Sequence, residues 1–142
     1  MIEQTAQLPA SPSAVFAYLT DPDRRGEWDD ACSACTLLGD RPAKGARLQL
    51  QGRRMAPSWL GEYQSFEPPR RATLTLIEGQ GMPFRSFSES FTVAPRSGGS
   101  TLTLRLDYET RGPIRLIEPL TVRSRLRRST ARSLARIVAH FG

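Results

Sequence analysis

The stretch Gly112–Gly142, GPIRLIEPLTVRSRLRRSTARSLARIVAHFG, decides how the rest of the chain is read. Its apolar residues Ile117, Leu120, Leu134, Ile137, Val138 and Phe141 form a stripe, and arginines crowd the remaining face. A helix of nearly thirty residues here would be roughly 40 Å long, at about 1.5 Å per residue. No earlier segment supports a helix of more than about two or three turns, by its apolar spacing. A lone long helix must lay its stripe on something, and the preceding chain supplies mostly strands. The expectation is a curved sheet wrapped around the helix, with a hollow between them.

The strands nearest the helix are the most legible. Leu102, Leu104, Leu106 and Tyr108 alternate with Thr101, Thr103, Arg105, Asp107 and Glu109, giving one apolar and one wet face. Ser97-Gly98-Gly99 predicts a hairpin turn back to a strand from Phe84 to Val93, with Phe87, Glu89, Phe91 and Val93 on one face. Gly79 to Pro83 reads as a loop. Arg71 to Glu78 places Ala72, Leu74 and Leu76 opposite Thr73 and Thr75. Trp59 to Phe66 forms the strand before it, with Trp59, Gly61 and Tyr63 sharing a face and Pro68-Pro69 as a stop. Ala46 to Met55 turns Leu48 and Leu50 one way and Arg47, Gln49 and Gln51 the other. A short weak strand ends at Thr36 to Leu38. Strands with a single apolar face belong to an antiparallel sheet covered on one side.

The first thirty residues supply the remaining elements. Ile2 to Leu8 alternates loosely and ends at Pro9. Ser11 is placed to cap a helix that opens on Pro12 and carries Ala14, Val15, Tyr18 and Leu19 on its apolar face. Asp21-Pro22 breaks that helix and starts a second short one, Pro22 to Trp28.

At 142 residues the chain is expected to be one domain, residues 1–142, with enough length for a real core. The charged and apolar fractions, 24% and 39%, exclude disordered and fibrous classes. No apolar run approaches the ~18 residues of a membrane span, and the N-terminus lacks the pattern of a signal peptide, so a cytoplasmic protein is expected. The net charge of +6 comes from nineteen arginines and one lysine, Lys44. Basic and aromatic residues do not interleave as in RNA-binding modules, and no helix-turn-helix precedes the arginine face; specific nucleic-acid binding is not expected. That face, Arg125, Arg128, Arg132 and Arg136 with Arg123 and Arg127 nearby, reads as a solvated outer surface, facing something acidic, or as a peripheral contact with an anionic membrane. Cys32 and Cys35 form a CxxC pair, but the only histidine is His140, so neither a zinc set nor a thioredoxin-like motif is supported. They are expected to be unlinked, reduced thiols. His140 is expected to be exposed or near the helix C-terminus, where a cation is favoured.

Several landmarks recur in one order. Ser11-Pro12, Val15-Phe16-Ala17-Tyr18-Leu19, Asp21-Pro22 and Glu27-Trp28-Asp29 are followed by Phe66-Glu67-Pro68-Pro69-Arg70-Arg71, then Gly98-Gly99-Ser100-Thr101-Leu102-Thr103, then Gly112-Pro113. This pattern resembles the START-like (SRPBCC, helix-grip) superfamily, in its polyketide cyclase/dehydrase and lipid-transport branch. The resemblance implies an α+β helix-grip fold in the order β-α-α-β6-α, with a seven-stranded curved antiparallel sheet around a long C-terminal helix. It also implies a cavity for hydrophobic or amphipathic small molecules, with Trp28 near its mouth. It carries over no catalytic signature.

The ligand-binding set expected from strand alternation and this resemblance is Trp28, Trp59, Tyr63, Leu74, Leu76, Arg85, Phe87, Glu89, Phe91, Leu104, Tyr108 and Leu120. A wall of this kind also fits a filled core with no usable space. Glu89 is the candidate acid or base, because a carboxylate among aromatics has a raised pKa. Arg85, two residues earlier than Phe87, could neutralise it or anchor a carboxylate ligand. No nucleophile–base set, phosphate loop or Gly-x-Ser-x-Gly elbow is present, and no metal or other cofactor is expected. The functional expectation is a carrier or sensor for a lipid-, polyketide- or quinone-like molecule. The alternative is a cyclase/dehydratase-like enzyme using Glu89.

Overall fold

The computed structural model describes residues 1–54, 56–79, 81–112 and 119–142, with side chains of the last segment described from residue 121. Strand β1 (Ile2–Leu8) is followed by helix α1 (Pro12–Thr20), a 3₁₀ turn (Pro22–Arg24) and the single-turn helix α2 (Arg25–Trp28). Then come β2 (Cys32–Leu38), β3 (Arg47–Gly52), β4 (Trp59–Glu67), β5 (Arg71–Gly79), β6 (Phe84–Arg96), β7 (Gly99–Thr110) and helix α3 (Pro119–Phe141). The seven strands form one antiparallel sheet in the order β1-β7-β6-β5-β4-β3-β2. The curved sheet grips α3, which is the helix-grip architecture expected.

Local chemistry explains the start of the chain. The Ala14 N–H donates to the Ser11 hydroxyl (3.2 Å) and Pro12 opens α1, as a Ser-Pro start dictates. One step on, the Asp23 N–H donates to Asp21 Oδ1 (3.0 Å), so Asp21 ends one helix and caps the next turn. α1 then packs Val15, Phe16, Tyr18 and Leu19 inward. Phe16 meets Phe66 and Phe91 edge-on, with centroids 5.3 and 5.6 Å apart. α2 seals the outer edge of β2: a Cβ on Gly26 would come within 2.5 Å of the Ser33 carbonyl oxygen, so only glycine permits that approach.

Helix α3 is held unevenly. Towards its C-terminus Ile137 is fully buried, Ser133 and Thr130 are buried, and Phe141 meets Tyr18 edge-on (5.4 Å). Towards its N-terminus Val122 and Leu126 are only half-buried. The helix therefore lies on the core at one end and spans a hollow at the other.

Several expectations are corrected. α3 as described runs 23 residues; the earlier part of the expected helix, Ile117 included, lies outside the described residues, as does the side chain of Leu120. Val138 is 38% exposed and stands off the stripe; Thr130 and Ser133 occupy the inward positions instead. His140 is exposed, as expected, and in addition lies face-on against Tyr18 with centroids 4.0 Å apart. β2 extends back through both cysteines, with a bulge between Cys32 and Ala34. β3 stops at Gly52, short of Met55, which lies outside the described residues. The Gly79–Pro83 segment, read as loop, contributes a strand residue at Gly79 and buries Met82.

Candidate ligand cavity and the buried Arg25 cluster

Between the sheet and the N-terminal half of α3 lies a cavity of about 660 Å³. Its apolar lining comes from Trp59 on β4, Met82 and Pro83 before β6, Phe84 and Phe87 on β6, and Val122 and Leu126 on α3. Polar groups enter from the α2–β2 turn (Asp29, Asp30), from Glu89, and from six arginines: Arg53, Arg54, Arg125, Arg128, Arg132 and Arg136. A smaller space of about 80 Å³ adjoins it on the α3 side, shared through Asp29, Ala31, Phe87, Glu89, Leu126 and Ser129 and lined also by Trp28, Phe91, Leu104, Thr130 and Ser133. A chamber of several hundred Å³ with a mainly apolar wall is the usual form of a small-molecule site, and nine charged residues make this one unusually polar.

The expected site residues separate into groups. Trp59, Phe87 and Glu89 line the large cavity, and Trp28, Phe91 and Leu104 line the small one. Tyr63 and Leu74 are buried in the core, while Leu76 and Tyr108 are half-buried against it, outside both linings. Tyr108 spends its ring on an edge-on contact with Phe84 at 5.6 Å. Leu120 cannot be placed, its side chain being outside the described residues.

Arg85 is a correction. β6 bulges between Phe84 and Ser86, so Phe84 pairs with Thr110 and Ser86 with Glu109, leaving residue 85 without an opposite number. The bulge flips the alternation: Phe84 and Phe87 both face in, and Arg85 is exposed. It neither neutralises Glu89 nor reaches the cavity as an anchor.

The partner of Glu89 is Arg25, a residue that strand alternation could not reveal. Arg25 is 2% exposed, its guanidinium lying 4.6 Å from the Trp28 ring centroid. Its Nε donates to Asp29 Oδ2 (2.8 Å), and its Nη2 donates to Glu89 Oε1. Two carboxylates thus share one buried cation. Burial opposes the charge on Arg25, but Glu89 and then Asp29 more than reverse this and keep it protonated. Burial raises the pKa of Glu89, and Arg25 only partly pulls it back. Glu89 is the surplus carboxylate of the trio and keeps about a fifth of its side chain accessible, at the cavity. The same burial pushes the Tyr63 hydroxyl up to about 12.

Cys32 and Cys35 are unlinked. Burial raises their thiols to about 12 and about 11, with Asp29 and Glu89 adding to the effect and Arg25 opposing it. Both are therefore protonated near neutral pH and poor nucleophiles.

The arginine face of α3 is not a plain outer surface. Asp30 bridges Arg132 (Nε to Oδ2, 3.0 Å) and Arg136 (Nη2 to Oδ1, 3.1 Å), and its own N–H donates to Ser133 Oγ (2.9 Å). This is the acidic group expected across from them, and it latches the helix to the α2–β2 turn.

A sheet gripping a C-terminal helix over an apolar chamber defines a START-like, SRPBCC protein. The family model described as polyketide cyclase / dehydrase and lipid transport matches residues 1–142, and the chain belongs to that family. No curated protein sequence matches it. Among solved structures it is similar to a protein from Thermus thermophilus (TM-score 0.80, 17% identity, covering 99% of each chain). It is likewise similar to a START superfamily protein from Mycobacterium smegmatis (TM-score 0.76, 17% identity, 99% and 98% covered). A third is the major latex-like protein 151 from Panax ginseng (TM-score 0.72, 15% identity, 99% and 96% covered). At such identities the likeness is one of fold.

Proposed function

We propose that this protein is a carrier or sensor that takes up a hydrophobic or amphipathic small molecule, lipid-, polyketide- or quinone-like, between the sheet and α3. The observation that carries this reading is the cavity of about 660 Å³ between the sheet and α3. Family membership is consistent with it. Its setting in this reading is the cytoplasm, where Cys32 and Cys35 stay reduced; among the described residues no helix is long and apolar enough to cross a membrane.

The test uses N-phenyl-1-naphthylamine, an uncharged dye that brightens in apolar surroundings. The protein should bind it, and Val122→Trp, which places an indole in the cavity, should weaken binding at least tenfold while leaving the melting temperature nearly unchanged. Dye binding that ignores the plug, or no binding at all, counts against the cavity as a site.

One observation favours a second reading, in which Glu89 is an acid in a cyclase/dehydratase-like enzyme: it lines the cavity, part of its side chain is accessible, and its pKa is raised. Linkage gives the check. A carboxyl whose folded pKa exceeds its unfolded value contributes stability that is present below the ordinary 4.5 and lost as pH rises through the folded value. Comparing melting temperatures of the native protein and Glu89→Gln from pH 4 upward should show the native protein losing ground steadily. A constant difference would mean that Glu89 titrates normally, and the acid role falls.

A further inference from the structure

The cavity has an apolar interior, but its charge is lopsided. Six arginines line it against three carboxylates, and each of those carboxylates is already engaged: Asp29 and Glu89 by Arg25, and Asp30 by Arg132 and Arg136. The remaining lining arginines come from two separate parts of the chain, Arg53 and Arg54 from the β3–β4 connection and Arg125 and Arg128 from α3. Among the described residues none of these four makes an ion pair. Arg53 is anchored through Nη2 to the Gly26 carbonyl (2.7 Å), which steadies its guanidinium. A general abundance of arginine explains basic residues on the surface. It does not explain their arrival from two separate segments at one cavity.

We infer that the ligand of this cavity is a single-chain amphiphile with an anionic head group, a carboxylate or a phosphate, held by Arg125 and Arg128 with Arg53 and Arg54 while its chain lies over Trp59, Phe84 and Phe87. This rests on the proposal that the cavity binds a small molecule, and it names the chemistry of that molecule. Guanidinium groups pair with carboxylate and phosphate oxygens through two parallel hydrogen bonds, and an anion relieves the repulsion between neighbouring arginines at an opening with apolar walls. The chain supplies the remaining affinity by leaving water. A neutral ligand of the same length would gain only the second contribution.

The experiment is competition against N-phenyl-1-naphthylamine by dodecanoate, dodecyl phosphate and dodecanol, each below the concentration at which it aggregates. Either or both anions should displace the dye at least tenfold more effectively than dodecanol, and the stronger one identifies the head group. That preference should shrink to within about threefold in Arg125→Gln/Arg128→Gln, and at 1 M salt, where the screening length is about 3 Å. Dodecanol displacing the dye as well as both anions overturns the inference and leaves the cavity reading standing. Failure of all three to displace the dye, in a protein where Val122→Trp also has no effect, overturns both. An undiminished preference for the anions in the double variant overturns the assignment to these arginines. So does a double variant that loses only its sedimentation with phosphatidylglycerol vesicles, because the face would then serve a membrane surface.

Discussion

Arg25→Met should destabilise the fold by about 3–5 kcal/mol, the usual cost of removing one member of a buried ion pair. Nothing else among the described residues compensates Glu89: its carboxylate accepts from Arg25, and its strand neighbours across the sheet are Leu74 and Leu106. Asp29, 13% exposed, loses its partner in the same step. For a chain of this length the cost corresponds to a fall of roughly 10 °C in melting temperature. Arg25→Met/Glu89→Leu should recover much of the loss, because an apolar pair of similar volume removes the stranded charge along with its partner. Urea unfolding of the native protein, both single variants and the double variant closes the cycle. A change below about 1 kcal/mol in Arg25→Met would mean the pair is solvated, contrary to the burial described above.

Ile137→Ala should cost about 2–5 kcal/mol, the range for deleting most of a buried aliphatic side chain. Ile137 is fully buried in the packed half of α3. Val138→Ala, one position along on a residue 38% exposed, should stay within about 0.5 kcal/mol of the native protein. The paired measurement in urea decides which face of the helix is the seam. Equal effects at the two positions would mean that the helix does not sit on the sheet in this rotation.

How far the fold was legible follows from how local its signals are. β5 and β7 alternate cleanly, so their inward leucines could be assigned from sequence, and the Ser11-Pro12 and Asp21-Pro22 starts carry their capping chemistry within three residues. Alternation failed where a bulge consumed a residue, at Phe84–Ser86, and the signal was present in retrospect: Phe84 is a large aromatic out of phase with Phe87. On α3 the seam includes Ser133 and Thr130, whose polarity hid it; Ser133 is satisfied by the Asp30 N–H and Thr130 by the Leu126 carbonyl. Val138 is the more apolar residue, but the rotation of the helix turns it outward.

The candidate site was less legible because its polar centre is assembled from segments far apart in the chain. Glu89 stood out from its own strand, but Arg25 is 64 residues away and sits beside Arg24 in a short, charged turn that resembles surface. Its i,i+4 spacing to Asp29 was the only local hint of a pairing. The six lining arginines could not be told from the other thirteen without the fold that brings the β3–β4 connection and α3 to one opening.

The uneven seating of α3 has a consequence for how such a chain can change over time. Ile137 and the Tyr18–Phe141 contact secure the helix at one end, while Val122, Arg125 and Arg128 face the cavity at the other. Substitutions at the cavity end change the lining of the chamber at little thermodynamic risk to the scaffold, and those at the seated end do the reverse. One helix therefore carries two nearly independent sets of constraints, and the chamber's lining can be remodelled without first making the protein more stable.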